Sequence, residues 1–317
     1  MTALSGALLT FDQIGRREDL ADKIYTISPT ETPGLSSFDK SKATSVTHEW
    51  QTDALADAGA NAQLEGDTFT FSTPAVTTRL ANTTQIAYKT VAVSGTSSAV
   101  NTAGRNKEMV YQVMKRAKEV KRDMEFIVFN NQTPVPQGSA SSSTARALRP
   151  VLAWYSTNVD AGTGGSNGNS TTARTDASTA NRRDLTEDML KKAVRTGWSA
   201  GGQPNLVICG PSNKQRISTF GGNATRYIDA GDRLRAAITY YEHDFGVIKC
   251  VADRFSRDRD LHVLDSRYWG EATLRPMTTE DIAKTADADN GVVIVEFTIE
   301  SRNQGASALI ADLNVAA

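Results

Sequence analysis

Between Ala103 and Asn130 apolar residues return every three or four positions, at Met109, Val113, Ala117, Val120, Met124 and Ile127. That period lines one face of an α-helix. It predicts a single long helix over 103–131, about 40 Å at 1.5 Å per residue. Lys107, Lys115, Arg116, Lys118, Lys121 and Arg122 crowd the remaining positions, with Glu108, Glu119, Asp123 and Glu125 among them. Helices in globular proteins average ~10–14 residues, so this one reads as a spine. Upstream the period is two, briefly at Phe69-Thr70-Phe71 and at length from Gln85 to Val93, with a polar bend near Pro74 between them. Alternation of this kind predicts strands. Residues 51–100 therefore read as an extended β-hairpin loop with little core of its own. Isolated hairpins are marginal in water, so such an excursion finds its partner outside the domain.

Downstream of 185 the two periods mix. Thr186-Glu187 opens a helix with a capping-type start that passes through Met189, Leu190, Ala193 and Val194 to Gly201-Gly202. A strand is expected at 205–209, a helix from Pro211 toward Phe220, and strands at 246–252, 261–265, 270–275, 292–300 and 307–312. Helices and strands without strict alternation argue for an α+β body. Between 132 and 184 Ser, Thr, Gly, Asn and Ala dominate, and the passage 162–170 is too polar to stay ordered by itself. Arg149–Tyr155 is the one apolar island there.

Composition narrows function mainly by exclusion. The 317 residues carry 35 Lys+Arg against 36 Asp+Glu, so no overall field marks a nucleic-acid or membrane-surface binder. No window approaches the ~20 apolar residues of a membrane span, and the first ten residues lack a basic leader, so neither membrane insertion nor export is expected. Cys209 and Cys250 sit in apolar runs and read as small buried hydrophobes suited to a reducing cytoplasm. His48, His243 and His262 form no metal-ligand spacing; His48 falls in a polar stretch expected to be exposed, and His262 alternates within a strand. His243-Asp244-Phe245-Gly246 superficially matches a kinase magnesium tripeptide, but the lysine strand follows it instead of preceding it. Asp287–Gly291 is a turn before a strand, since Glu296 comes too soon for a calcium loop. The Gly-rich passage at 162–168 lacks the Lys-Ser/Thr pair of a phosphate loop. Arg254–Asp260 mixes charge signs and reads as a solvated or inter-subunit loop. No paired carboxylates suggest acid–base work. Neither an enzyme nor a cofactor is expected.

The segment from Ile27 to Leu55 is the most specific. Pro29 and Pro33, each preceded by Ser or Thr, favour an extended arm, and Thr47-His48-Glu49-Trp50-Gln51-Thr52-Asp53 follows. The elements Ser28–Pro33 and His48–Leu55 resemble the front of a family of tailed-bacteriophage major head proteins. The order of arm, hairpin, long helix and α+β body is similar to the HK97-like capsid fold. That resemblance implies an N-terminal arm at 1–50, an extended loop at 51–100, a peripheral domain at 101–184 containing the spine helix, an axial domain at 185–290, and return strands to the peripheral part at 291–317. It implies a structural subunit that assembles into an icosahedral head of hexamers and pentamers enclosing double-stranded DNA, built in the host bacterial cytoplasm. The implied partners are further copies of the chain, a portal protein, possible separate scaffolding and decoration proteins, and packaged DNA held by weak non-specific contact. Trp50, Phe69, Phe71, Ile86, Tyr88 and Val91 are the candidate inter-subunit contacts, with Trp50 as arm anchor. The Thr/Ser/Asn/Gly-rich stretches leave an exported fibre or adhesin subunit as the alternative.

Overall fold

A computed structural model describes residues 28–69, 71, 73–100, 107–136, 144–220, 239–284 and 286–315. Residues 17–25, where the sequence of the arm allows at most one short helix, lie outside them. The chain begins with a one-turn helix α1 (Pro33–Ser37), strand β1 (Asp39–Lys42) and strand β2 (Thr47–Thr52). Residues 53–77 contain no regular element among those described. Then come β3 (Thr78–Thr83), β4 (Gln85–Ser94), a short α2 (Gly95–Ala99) and the spine α3 (Glu108–Phe129). The second half contributes α4 (Val151–Trp154), β5 (Val159–Asp160), α5 (Glu187–Ser199), β6 (Leu206–Cys209), α6 (Pro211–Ser218), β7 (Tyr240–His243) and β8 (Gly246–Ala252). It closes with β9 (Leu261–Leu264), β10 (Trp269–Ile282), β11 (Ala288–Ser301) and β12 (Ala308–Ile310).

Two sheets carry the body. The first has the order β1-β10-β11-β4, and α3 packs along it. Ala87, Val293, Val295 and Phe297 from the sheet meet Val120, Met124, Val128 and Phe129 from the helix in one core. The second has the order β5-β12-β9-β6-β8-β7. Its Val207, Cys209, Ile248, Cys250, Val263 and Ile310 pack with Leu190 and Val194 of α5 and Ile217 of α6. Leu206, Ile208, Leu264 and Leu309, from the same sheet, join the first core. Side chains alternate across a strand, so one sheet serves two cores. Both cysteines are buried and unpaired.

The spine is 22 residues long, about 33 Å. It starts at Glu108 because Lys107 is extended, five residues later than the apolar period suggested. The helix after Thr186 ends where Gly201 adopts φ +84°, with Gly201 N–H donating to Trp198 and Gly202 N–H to Gly197. That pair of bonds is the Schellman stop, and the left-handed residue in it carries no Cβ to clash.

Three expectations are corrected. The strand reading at 69–71 fails: neither Phe69 nor Phe71 belongs to a strand, and β4 pairs instead with β11, Tyr88 opposite Ile294. The hairpin is β2 with β3, Trp50 opposite Leu80, so the His-Glu-Trp-Gln element is its first strand. Local alternation marks a strand but does not name its partner. Next, a linear boundary at residue 290 does not follow sheet membership, since β10 already lies in the first sheet and β12 returns to the second.

Finally, the polar passage 162–184 is ordered, and so is part of the charged loop Arg254–Asp260. Polar bonds do the holding. Asp312, at φ +60°, accepts from Ala177 N–H at 2.9 Å, Gly162 N–H at 3.2 Å and Arg259 at 2.5 Å, and also pairs with Arg174. The side chains of Arg174 and Asp312 are both fully buried. Asp176 pairs with Arg257 and, at 3.2 Å, with Arg259. Burial raises the Asp312 carboxyl, but the Ala177 N–H and the Arg174 and Arg259 charges outweigh it and hold it below the ordinary range. A paired buried network replaces the apolar surface that this loop lacks.

Candidate assembly site

The described surface concentrates its unusual chemistry in one projection with a stiff root. At the root, β2 alternates: Thr47, Glu49 and Gln51 face solvent, while His48 and Trp50 turn inward. Trp50 packs on Trp154, ring centroids 5.5 Å apart, and its Nε1–H donates to the Ser301 carbonyl at 3.1 Å. His48 Nε2 lies 2.7 Å from Glu300, which also accepts from Ser41 Oγ and pairs with Arg302. Burial raises the Glu300 carboxyl; the Ser41 and His48 bonds and the cations reverse that and leave it below the ordinary value. From β3, the Asn82 amide donates to the Ile299 and Arg149 carbonyls and accepts from Arg149 N–H. The Arg149 guanidinium covers the Trp154 ring at 4.0 Å. The expected exposure of His48 is therefore corrected: only 15% of its side chain is accessible.

Beyond this root every described residue of 53–77 is exposed. Phe69 is 89% exposed and Phe71 95%, with Leu55, Leu64 and Val76 also bare. The segment carries Asp53, Asp57, Glu65 and Asp67 and no Lys or Arg. Apolar side chains held in water on a loop mark a surface meant for contact. Ile86 and Tyr88 on β4 are exposed as well, while Val91 on its other face is buried toward α3. Trp50 and Val91, two of the six candidates, are thus engaged by their own subunit. Nothing in the period of two around Val91 says which face is covered, since both faces carry apolar residues.

The arm, expected to stay extended, is also seated on its own subunit from Pro33 onward. Pro33 occupies the first helical position of α1, where a missing N–H costs nothing. Thr32 makes no capping bond; Glu125 of α3 takes that place, accepting from Gly34 N–H at 2.6 Å and Leu35 N–H at 2.9 Å. β1 then pairs in parallel with β10, Asp39 opposite Gly270. Gly34 has no room for a side chain. A Cβ there would lie 2.0 Å from Phe129 Cε2 and 2.7 Å from Glu125 Oε1. Gly34→Ala is accordingly expected to loosen α1, and Leu35 with it, from the first core while leaving the rest of the fold formed, costing about 1–3 kcal/mol by overpacking. Trypsin cleavage at Lys40 and Lys42, faster than in the wild type at unchanged circular dichroism, is the measurement. In the sequence Glu125 stands with the charged residues outside the apolar period. The available signal was Val128 with Phe129, one turn further on, which widen the apolar face beyond Met124 toward Glu125.

The other two histidines serve packing. His262 is fully buried between Tyr155 and Phe129, and burial, then Arg257, lowers it to about 3, so it is neutral. His243 lies beside Asp244 in a cleft of about 380 Å³ between α5 and the β7–β8 turn, lined also by Asp188, Lys191, Lys192, Val194, Arg195 and Phe245. Among the described residues, no His/Cys/Asp/Glu group is arranged to hold a metal, and no helix is long and apolar enough to cross a membrane.

The family model described as SU10 major capsid protein matches residues 4–314. The chain belongs to that family. The SU10 capsid protein family is structural, not enzymatic. A curated relative, the major capsid protein of Escherichia phage Phieco32, is 38% identical over 125 residues, 39% of this chain and 36% of that protein. The chain thus matches about a third of that relative's length. Among solved structures, the cyanophage A-1(L) capsid asymmetric unit superposes with TM-score 0.66 at 11% identity, covering 96% of this chain and 98% of that one. The capsid of an empty GTA particle gives 0.63 at 9% identity, with 98% and 100% covered, and a Gordonia phage Cozz chain 0.62 at 10%, with 99% and 97%. At such identities the likeness establishes the fold, which is the α+β, HK97-like capsid fold that the order of elements resembles. The fibre or adhesin reading finds no support in these likenesses.

Proposed function

We propose that this SU10-family chain is the repeating subunit of an icosahedral phage head, in which the 53–77 loop of each copy binds a neighbouring copy. One observation supports the reading: on a loop rooted through Trp50, the rings of Phe69 and Phe71 are almost fully exposed among the described residues. Phe69 and Phe71 on the loop, with Ile86 and Tyr88 on β4, are the proposed contacts. Closed symmetry repeats each modest contact around the shell, through hexamers and pentamers with a portal at one vertex. In this reading the first sheet with α1 and α3 forms the peripheral domain and the second sheet the axial one. A solved neighbour, from phage G, pairs its major capsid proteins with gp26 decoration proteins; a comparable partner here, like separate scaffolding, belongs to the proposal. Exposed Lys115, Lys118 and Lys121 on α3 suit weak, salt-sensitive contact with packaged DNA.

The deciding experiment is production of the chain in a bacterial host, alone and with its scaffolding and portal genes, followed by sedimentation and negative-stain microscopy. Closed shells and capsomers are the expected products. Monomers under every condition, or open filaments, would overturn the reading.

A further inference from the structure

Glu125 is the one carboxylate on the buried face of the spine, and its partners are the arm's backbone. It is fully buried, it accepts from Gly34 and Leu35, and Phe129 closes the site over Gly34. The charged groups around it are mostly of its own sign. Asp253, in the turn after β8, and Glu271, on β10, both raise it. Lys40 of β1 is already engaged, by Glu271 and by the Leu35 carbonyl at 2.9 Å. Among the described residues no Lys, Arg or His pairs with Glu125. An unpaired buried charge is costly, and taking up a proton removes the cost.

We propose that the arm is a proton-linked latch: seating α1 on α3 takes up a proton at Glu125, and the arm's hold on the subunit weakens as pH rises. The two backbone donors favour the carboxylate, yet burial and the two like charges prevail, raising Glu125 from 4.5 to about 7. With the arm lifted, Glu125 meets water and returns toward its ordinary value. A group raised in the seated state stabilises that state fully below pH 4.5, and the gain is gone once pH passes about 7. Between those limits the seating constant falls about tenfold per pH unit for one linked proton, on the order of 100-fold across the window. The latch goes beyond the shell function and stands whether or not the loop binds a neighbour.

The test is amide hydrogen exchange of residues 34–38 in the intact, unassembled subunit from pH 5 to 8.5, corrected for intrinsic exchange, with α5 amides as reference. Arm protection should fall about tenfold per unit from pH 5 to 7 and level off above, while the reference stays flat. Glu125→Gln, which keeps volume and one acceptor oxygen, should abolish the slope. Asp253→Asn, which removes the stronger like charge, should keep the slope and move its upper end to lower pH. A flat wild-type profile from pH 5 to 7, or an unchanged slope in Glu125→Gln, overturns the latch. Should Glu125→Gln not fold, the wild-type slope and the Asp253→Asn displacement decide.

Discussion

Asp312→Ala is expected to lower the unfolding free energy by about 3–5 kcal/mol, the loss typical of breaking a buried ion pair from one side. The change leaves the fully buried Arg174 without its carboxylate and strips acceptors from Arg259, Ala177 N–H and Gly162 N–H together. Alanine also tolerates the φ of +60° at this position less well than aspartate, which visits the left-handed region more readily. The damage should spread to residues 160–184, whose order rests on this network. A denaturant midpoint far below wild type, with new protease sites in that loop, is the readout. Asp312→Asn keeps the shape and the left-handed preference but not the charge, so it should fall between the two. The same carboxylate makes the subunit acid-sensitive. Its value is depressed in the fold, so its contribution is present above the ordinary carboxylate pKa of 3.8 and lost as pH falls below it.

Phe69→Ser with Phe71→Ser should leave the subunit intact and cripple assembly. The two rings are 89% and 95% exposed, so the isolated fold loses no packing when they are removed. In a shell, each buried Phe contributes about 2 kcal/mol, hence about 4 kcal/mol per subunit for the pair. That corresponds to a rise of roughly a thousandfold in the concentration needed for assembly. Light scattering across a concentration series, beside a thermal melt of the unassembled variant, separates the outcomes. An unchanged threshold would exclude these rings from the contact, and a lowered melting temperature would show that they pack within their own subunit. Exchanging Leu55 for Ser by itself should move the threshold in the same direction and less far.

Much of the architecture can be read from the chain alone, because it depends on local periods. The spine's apolar face from Val113 to Ile127, the capped start of α5 at Thr186, and strands β6, β8, β9 and β11 all follow from spacing between near neighbours. The motif of Ser28–Pro33 and His48–Leu55 pointed to the family for the same reason, since its residues are contiguous. Partners separated by ninety residues or more are not encoded in any window. Glu125 meets Gly34 across 91 residues, Asp312 meets Arg174 across 138, and Trp50 reaches Ser301 across 251. These long contacts corrected the local expectations. The extended arm became a seated helix, the disordered loop became a pinned one, and Val91 turned inward.

The physical reason lies in what each level determines. A run of side chains settles helix or strand, and which residues share a face, through steric preferences and period. Whether that face is covered, and by what, depends on desolvation and hydrogen bonding that exist only once the distant element arrives. By itself, then, the sequence determined the spine, the α+β body and the family. The tertiary structure alone decided that Trp50 anchors the loop's root to its own subunit, that Glu125 holds the arm, and that Phe69 and Phe71 are exposed among the described residues.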